Sequence, residues 1–477
     1  MINVKKTYKT IDFLQKCCII TFTNEKKCNI IILIIGGICY MLVGFKVKNF
    51  RSFNKMQHFS MLAGKVRNNE SHIVEVKKKK ILKFSGMFGA NGSGKSNLII
   101  AISIIKDIIA KSTKALINNQ FYRGKDGNPN VDSYFEYEIA INDKLYSYGF
   151  ELNFYKQELV SEWLIDMTKT NEKIIFERDI KRNNYKSDLA KNNDYFNICL
   201  KEMKSNNSNL FLTEMSRRLI MSNNNDAFFN DILNVFGFFV NDLIIIRPVS
   251  HKLLPLDYVD KKEKIIKILK KLDININNIV AEDYDMNSIR SRMTDIDYSN
   301  FINDFELLSK KANIKSCTLR LENDLFSIKR INNDFIVKSL KFKHENTDYT
   351  FGAYEESDGT IRIMELIDIL LTQNKVYLID ELDSSLHPLL VEGLLKIFLE
   401  YNNTNQLIIT THELKTLDFD LVRRDEIWFS EKSIDGESRI FSLEEYKDVA
   451  RFDRKIDKAY LEGRFGAIAN IDTNYES

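Results

Sequence analysis

Hydrophobic and polar positions change period several times along the chain. From Leu42 to Phe53 they alternate at period two and run into a turn, which predicts a first strand. Phe135–Ile141 and Leu145–Leu152 alternate in the same way on either side of Asn142 and Asp143, the pattern of a hairpin. Val160–Ile165 and Lys173–Arg178 predict two further antiparallel strands. A short apolar run at Ile81–Phe84 suits a buried strand, and Leu98, Ile99, Ile102, Ile105 and Ile109 then recur at helical spacing. Residues 181–335 differ in character: Asn-rich linkers separate helical stretches, including an amphipathic helix marked by Ile265, Ile266, Ile268, Leu269 and Leu272. Alternation returns at Phe335–Phe342. A helix is predicted through Ile361, Met364, Leu366, Ile367, Leu370 and Leu371. Val376–Ile379 and Leu407–Ile409 are continuous apolar runs, expected of buried parallel strands.

The stretch between the Ile81 run and the Leu98 helix carries chemistry. Gly89, Ala90, Asn91, Gly92, Ser93, Gly94, Lys95 and Ser96, followed by Asn97, match G-x-x-x-x-G-K-[ST]. Glycines let backbone N–H groups turn toward a phosphate chain. Lys95 would reach the β and γ phosphates of a nucleotide, Ser96 would hold Mg²⁺, and the helix would aim its positive end at the phosphates.

The apolar run Val376–Ile379 ends in Asp380 and Glu381. Ligand sites of α/β sheets form at such C-terminal strand ends. Adjacent strand residues point to opposite sides, so the two acids take different roles: Asp380 toward Mg²⁺, directly or through water, and Glu381 toward the attacking water. The next apolar run ends at His412, which could contact a γ-phosphate. Ser357, Asp358, Gly359 and Thr360 form a polar turn ahead of a helix, which by itself is also an ordinary helix cap.

Composition narrows the class. The chain has 477 residues, 44% hydrophobic and 28% charged, enough for two or three domains of ordinary globular type. A formal net charge of +3 gives no global drive toward nucleic acid, so any such surface would be a local patch. Lys77–Lys80 reads as a solvated turn between strands before a phosphate contact, and Lys261, Lys262, Lys264, Lys267, Lys270 and Lys271 as a solvated helix face before a partner or nucleic-acid surface. Cys17, Cys18, Cys28, Cys39, Cys199 and Cys317 form no CxxC pair and no disulfide framework, in keeping with a reduced, cytoplasmic protein. The apolar run from Ile30 to Phe45 is shorter than the ~20 residues a spanning helix needs. It also shares its end with the first strand. Residues 1–40 therefore read as an extension, or as sequence ahead of a start at Met41, before a membrane anchor or a signal peptide.

The order of these motifs resembles the ABC-like ATPases of the SMC and repair group. It is closer still to a bacterial subgroup of AAA-family ATP/GTP phosphatases, several of which belong to phage-defence or abortive-infection systems. The resemblance rests on Asn49–Phe53, Gly89–Asn97, Ser357–Thr360, Ile379–Pro388 and Thr410–Glu413, with Asp425–Phe429 and Glu462–Ile468 as further strings. It implies an α/β fold: a P-loop NTPase of the ABC-type head, split by a mostly helical insertion. The divisions are 1–40, an extension; 41–180, the N-terminal half of the head; 181–335, the insertion; and 336–477, the C-terminal half.

The resemblance also implies ATP and Mg²⁺ as cofactors, with Arg51 near the nucleotide. Two heads would sandwich two ATP molecules, Ser357 and Gly359 of one completing the site of the other. Ser357-Asp358-Gly359 departs from the Ser-Gly-Gly of transporter ATPases. A metal-sensing glutamine is not placed by any pattern; Gln120 is the candidate. The expected function is ATP hydrolysis driving a dimerisation switch in an anti-phage system, with a homodimer or higher homo-oligomer and a separately encoded effector as partners. The alternative is a DNA-repair-type ATPase acting directly on DNA, which would make nucleic acid a partner. A membrane partner is not expected.

Overall fold

The computed structural model describes residues 39–66, 68–222, 226–247, 251–254, 256–299, 301–302, 305, 316–331, 334–400, 404–446 and 456–467. Almost all of the expected N-terminal extension, and Ile468, lie outside them.

A six-stranded sheet organises the nucleotide-facing part of the chain. Its order is Leu243–Ile246, Val376–Ile379, Gln406–Thr410, Phe84–Phe88, Ile427–Lys432 and Ser438–Ser442. The first five strands run parallel, and the last pairs antiparallel with its neighbour. The central strands are buried along their whole length, which is why Val376–Ile379 and Leu407–Ile409 read as unbroken apolar runs. Alternate residues feed two cores. Leu378 and Ile408 face a core shared with the helix Lys95–Lys111, whereas Tyr377, Ile379, Leu407 and Ile409 face the helices Asp358–Leu366 and Pro388–Glu400.

A seven-stranded antiparallel sheet packs into the first core. It runs Asn184–Lys186, Lys173–Asp179, Glu158–Asp166, Lys144–Asn153, Ser133–Ile141, Tyr40–Lys48 and Gln57–Ser60. The hairpin at Asn142 is present, and Asn142 takes the left-handed conformation the turn needs (φ 52°). A third antiparallel sheet joins His251–Leu254, Ser316–Leu321, Asp324–Ile331, Asp334–His344 and Ile276–Tyr284.

Two features differ from the sequence reading. The strand feeding the phosphate loop is Phe84–Phe88, not Ile81–Phe84; Lys79–Leu82 instead pairs with Ile73–Val76 in a small hairpin. Ser85 and Gly86 dilute the apolar signal of a strand that is nonetheless wholly buried. The stretch 181–335 carries helices at Asp194–Met203, Phe211–Met221, Asn230–Gly237 and Lys262–Lys271, but also strands. One of these, Leu243–Ile246, is an edge strand of the parallel sheet, and Asp334–His344 runs across the 335/336 division. The stretch is therefore woven into the head rather than inserted as a unit. The lysines of Lys262–Lys271 lie on an exposed face, with Ile265 and Leu269 buried beneath.

Among the described residues no helix is long and apolar enough to cross a membrane. Cys39, Cys199 and Cys317 are buried free thiols.

Candidate functional site

Parallel strands deliver their C-terminal ends to one edge of the sheet. Gly89, Asp380 and His412 therefore emerge side by side, although they come from distant parts of the chain.

The phosphate loop is shaped by close approach. Gly89 has φ 153°, and a Cβ there would lie 2.3 Å from the Ser430 carbonyl, so no larger residue fits. Ser430 Oγ donates to Ser93 O at 3.0 Å, Ser438 Oγ donates to the same carbonyl, and Ala90 N–H donates to Ala467 O at 2.9 Å. The C-terminal hairpin thus buttresses the loop. Gly94, at φ 117°, opens the helix Lys95–Lys111.

The Lys95 ammonium donates to the carbonyls of Gly89 at 2.8 Å and Ala90 at 3.0 Å. Burial pulls its pKa down to about 8, against the opposing fields of Asp380, Asp383 and Glu381. Ser96 Oγ donates to Asp380 Oδ1 at 3.0 Å, and Thr410 Oγ1 donates to the same oxygen at 2.6 Å. A hydroxyl beside a carboxylate is the hard oxygen donor set that suits Mg²⁺, so the residues present fit that ion.

Asp380 is buried and Glu381 is exposed. Glu381 adopts φ 51°, and its N–H donates to Thr410 Oγ1 at 2.8 Å. His412 is exposed at the end of the neighbouring strand, and its N–H donates to Asp383 Oδ2 at 3.2 Å. Partial desolvation and then the Lys95 charge hold the imidazole below its usual pKa, with the nearby acids opposing.

Arg51 joins the loop from the first strand's turn. Its guanidinium donates to Asn97 Oδ1 at 3.4 Å and to Gln120 Oε1 at 3.1 Å, while Asn97 Nδ2 donates to Ser52 Oγ at 2.7 Å. Burial and then the Arg247 guanidinium hold the Arg51 pKa below its usual range. Gln120 is thereby beside the loop, engaged with Arg51.

Ser357 is exposed and caps its helix, accepting Thr360 N–H at 3.1 Å. Among the described residues no hydrogen bond joins Ser357 or Gly359 to the phosphate loop of the same chain. Their helix instead contacts the acidic turn: Arg362 donates to Asp380 O at 3.3 Å and Glu381 O at 2.8 Å.

Sequence reasoning assigns no role to Thr410, Asp383, Arg362 or Arg247. Thr410 and Asp383 stand inside quoted motifs, so their positions were a usable signal. Arg247 follows the unrecognised strand Leu243–Ile246, and Arg362 has no pattern of its own.

The arrangement can cradle a triphosphate, hold a divalent cation between Ser96 and Asp380, and present a carboxylate and an imidazole to water at the exposed end.

No curated protein matches the chain. Similar solved structures include an SmcHead bound to the C-winged helix domain of ScpA (13% identity, 86% of this chain and 99% of that one, TM-score 0.42). They also include the SMC head domain from Thermotoga maritima (12%, 84% and 98%, TM-score 0.36). A third is the Smc head domain with an extended coiled coil bound to the C-terminal domain of ScpA, derived from Pyrococcus furiosus (15%, 87% and 99%, TM-score 0.38). The family described as "AAA domain, putative AbiEii toxin, Type IV TA system" matches residues 84–198 and 201–418, and the chain belongs to it.

Proposed function

We propose that the chain binds and hydrolyses ATP at the Gly89–Ser96 loop and uses the nucleotide as a dimerisation switch in an anti-phage, abortive-infection system. The observation that carries the reading is the joining of Ser96, Asp380, Thr410 and Glu381 by hydrogen bonds across two distant parts of the chain.

In this reading Lys95 and the loop amides neutralise the phosphates, with Gly89, Ala90, Asn91, Gly92, Ser93, Gly94 and Asn97 shaping the cradle and Arg51 beside it. Ser96 and Asp380 would hold Mg²⁺, which supplies charge compensation on the phosphate oxygens. Glu381 orients and deprotonates the attacking water, and His412 contacts the γ-phosphate. Ser357, exposed, and Gly359, half-buried, make no hydrogen bond to their own loop among the described residues and would complete the site of a second copy. The family description, a putative toxin of a Type IV TA system, supports a role in such a system; a separately encoded effector and a reduced, cytoplasmic setting belong to the same proposal.

Glu381→Gln tests the switch. On a sizing column the variant should shift from monomer to dimer on addition of ATP and Mg²⁺. The absence of any ATP-dependent shift would count against the sandwich.

A further inference from the structure

Glu381 is held by its backbone. Its left-handed conformation is uncommon for a residue with a side chain and persists only where neighbours enforce it. On one side, Glu381 N–H donates to Thr410 Oγ1. On the other, its carbonyl accepts Arg362 Nη2 at 2.8 Å and Ser384 N–H at 3.1 Å. The same Arg362 nitrogen reaches the Asp380 carbonyl at 3.3 Å.

Arg362 is itself buried and fixed. Glu365, on the same helix, accepts its Nη1 at 3.0 Å, while Arg320 from the third sheet pairs with the other Glu365 oxygen. Arg362 Nε is buried without a partner, so the guanidinium is placed by its two terminal nitrogens. The helix begins at Ser357, and Arg362 lies five residues on, about 7.5 Å along the axis. Gly359 touches the acidic turn as well: a Cβ there would sit 3.0 Å from the Ser385 carbonyl. The helix therefore meets the Glu381–Ser385 turn at two points.

We propose that Arg362 is a positioning residue for Glu381. It ties the Glu381 backbone to the helix that starts at Ser357, so that whatever engages Ser357 and Gly359 also sets the aim of the Glu381 carboxylate. The two sites of a dimer would then be coupled through each chain's own Arg362. The inference rests on the ATPase reading above and adds a residue and a direction of coupling to it.

Two variants test it. Arg362→Lys keeps the charge opposite Glu365 but lacks the planar fork that spans Glu365 and both carbonyls. The double variant Arg362→Met/Glu365→Gln removes the charge pair together, leaving no bare buried carboxylate. Steady-state phosphate release and binding of a fluorescent ATP analogue with Mg²⁺ are measured for both and for the wild type. The expected result is a fall in kcat of at least about tenfold, with analogue affinity within about twofold of wild type, the signature of a group that acts on the chemical step alone. Wild-type kcat in either folded variant overturns the inference. So does a parallel loss of kcat and binding in both, which marks Arg362 as structural only. A wild-type protein that binds the analogue yet releases no phosphate overturns the ATPase reading itself, and the inference with it.

Discussion

Ser96 and Asp380 stand 284 positions apart in the chain and meet through a 3.0 Å hydrogen bond. The contact exists because Phe84–Phe88 and Val376–Ile379 flank the same strand, Gln406–Thr410, in one parallel sheet. Asp380→Asn retains a side-chain oxygen to accept from Ser96 and Thr410 but loses the charge a divalent ion requires. The variant should stay folded and lose ATP hydrolysis by about 10²-fold or more, as expected when preorganised charge at a reacting phosphate is removed. Phosphate release measured across a Mg²⁺ titration checks this, with saturation displaced to higher metal concentration.

Lys95 makes nucleotide binding depend on pH. Its pKa of about 8 in the folded chain lies below the ordinary 10.5. A lowered folded-state pKa means that the unfolded chain holds the proton between these values. This group's contribution to stability is therefore present above 10.5 and lost as pH falls through about 8. Phosphates favour the ammonium, so binding above pH 8 takes up a proton, and affinity should fall by up to about tenfold per pH unit there. Calorimetry at pH 9 in buffers of different ionisation enthalpy reads the proton uptake directly.

Thr410 serves both acids at once, donating to Asp380 and accepting from Glu381 N–H, and it is fully buried. Thr410→Val keeps the shape and removes both bonds. Stranding a buried donor or acceptor costs about 1–3 kcal/mol, so urea denaturation should show a loss in that range. Phosphate release should fall further than the loss of folded protein explains, because the Glu381 N–H loses its partner while only the carbonyl stays held.

Away from the site, Glu162 and Arg178 form a wholly buried ion pair in the seven-stranded sheet. Glu162 also accepts the N–H groups of Phe211 and Leu212, and Arg178 donates to the carbonyls of Met203, Asn206 and Asn209. Together they fasten the helical pair Asp194–Met203 and Phe211–Met221 to the sheet. Arg178→Met leaves Glu162 charged and buried, and should cost about 3–5 kcal/mol by chemical denaturation. Analogue binding by the fraction that remains folded should not change.

Much of this was legible in the chain because the features are local. The phosphate loop needs glycines at fixed spacing, and the buried strands before Asp380 and His412 need unbroken apolar runs. Ser133–Ile141 alternates over most of its length because one face meets the core, whereas its hairpin partner Lys144–Asn153 is buried on both faces. Phe84–Phe88 was displaced by three residues in the reading because Ser85 and Gly86 weaken its pattern, although both are buried.

What was not legible depends on long-range pairing. Leu243–Ile246 is only four residues long, and nothing within it says that it will align with Val376–Ile379. Arg362 looks like a polar residue on an amphipathic helix until the fold brings the Glu381 carbonyl to it. Ser357 is a helix cap by local geometry, and nothing in that geometry distinguishes an ordinary cap from the contact with a second copy proposed for it.

Gly89–Ser96 and Asp380–Glu381 are proposed to form one ATP-hydrolysing site. Phosphate release from ATP, measured side by side for the wild type, Lys95→Ala and Glu381→Gln, tests it most directly. The expected outcome is Mg²⁺-dependent release by the wild type, no nucleotide binding by Lys95→Ala, and binding without turnover by Glu381→Gln. Equal release by all three proteins, or none from a wild type that binds ATP and Mg²⁺, would contradict it.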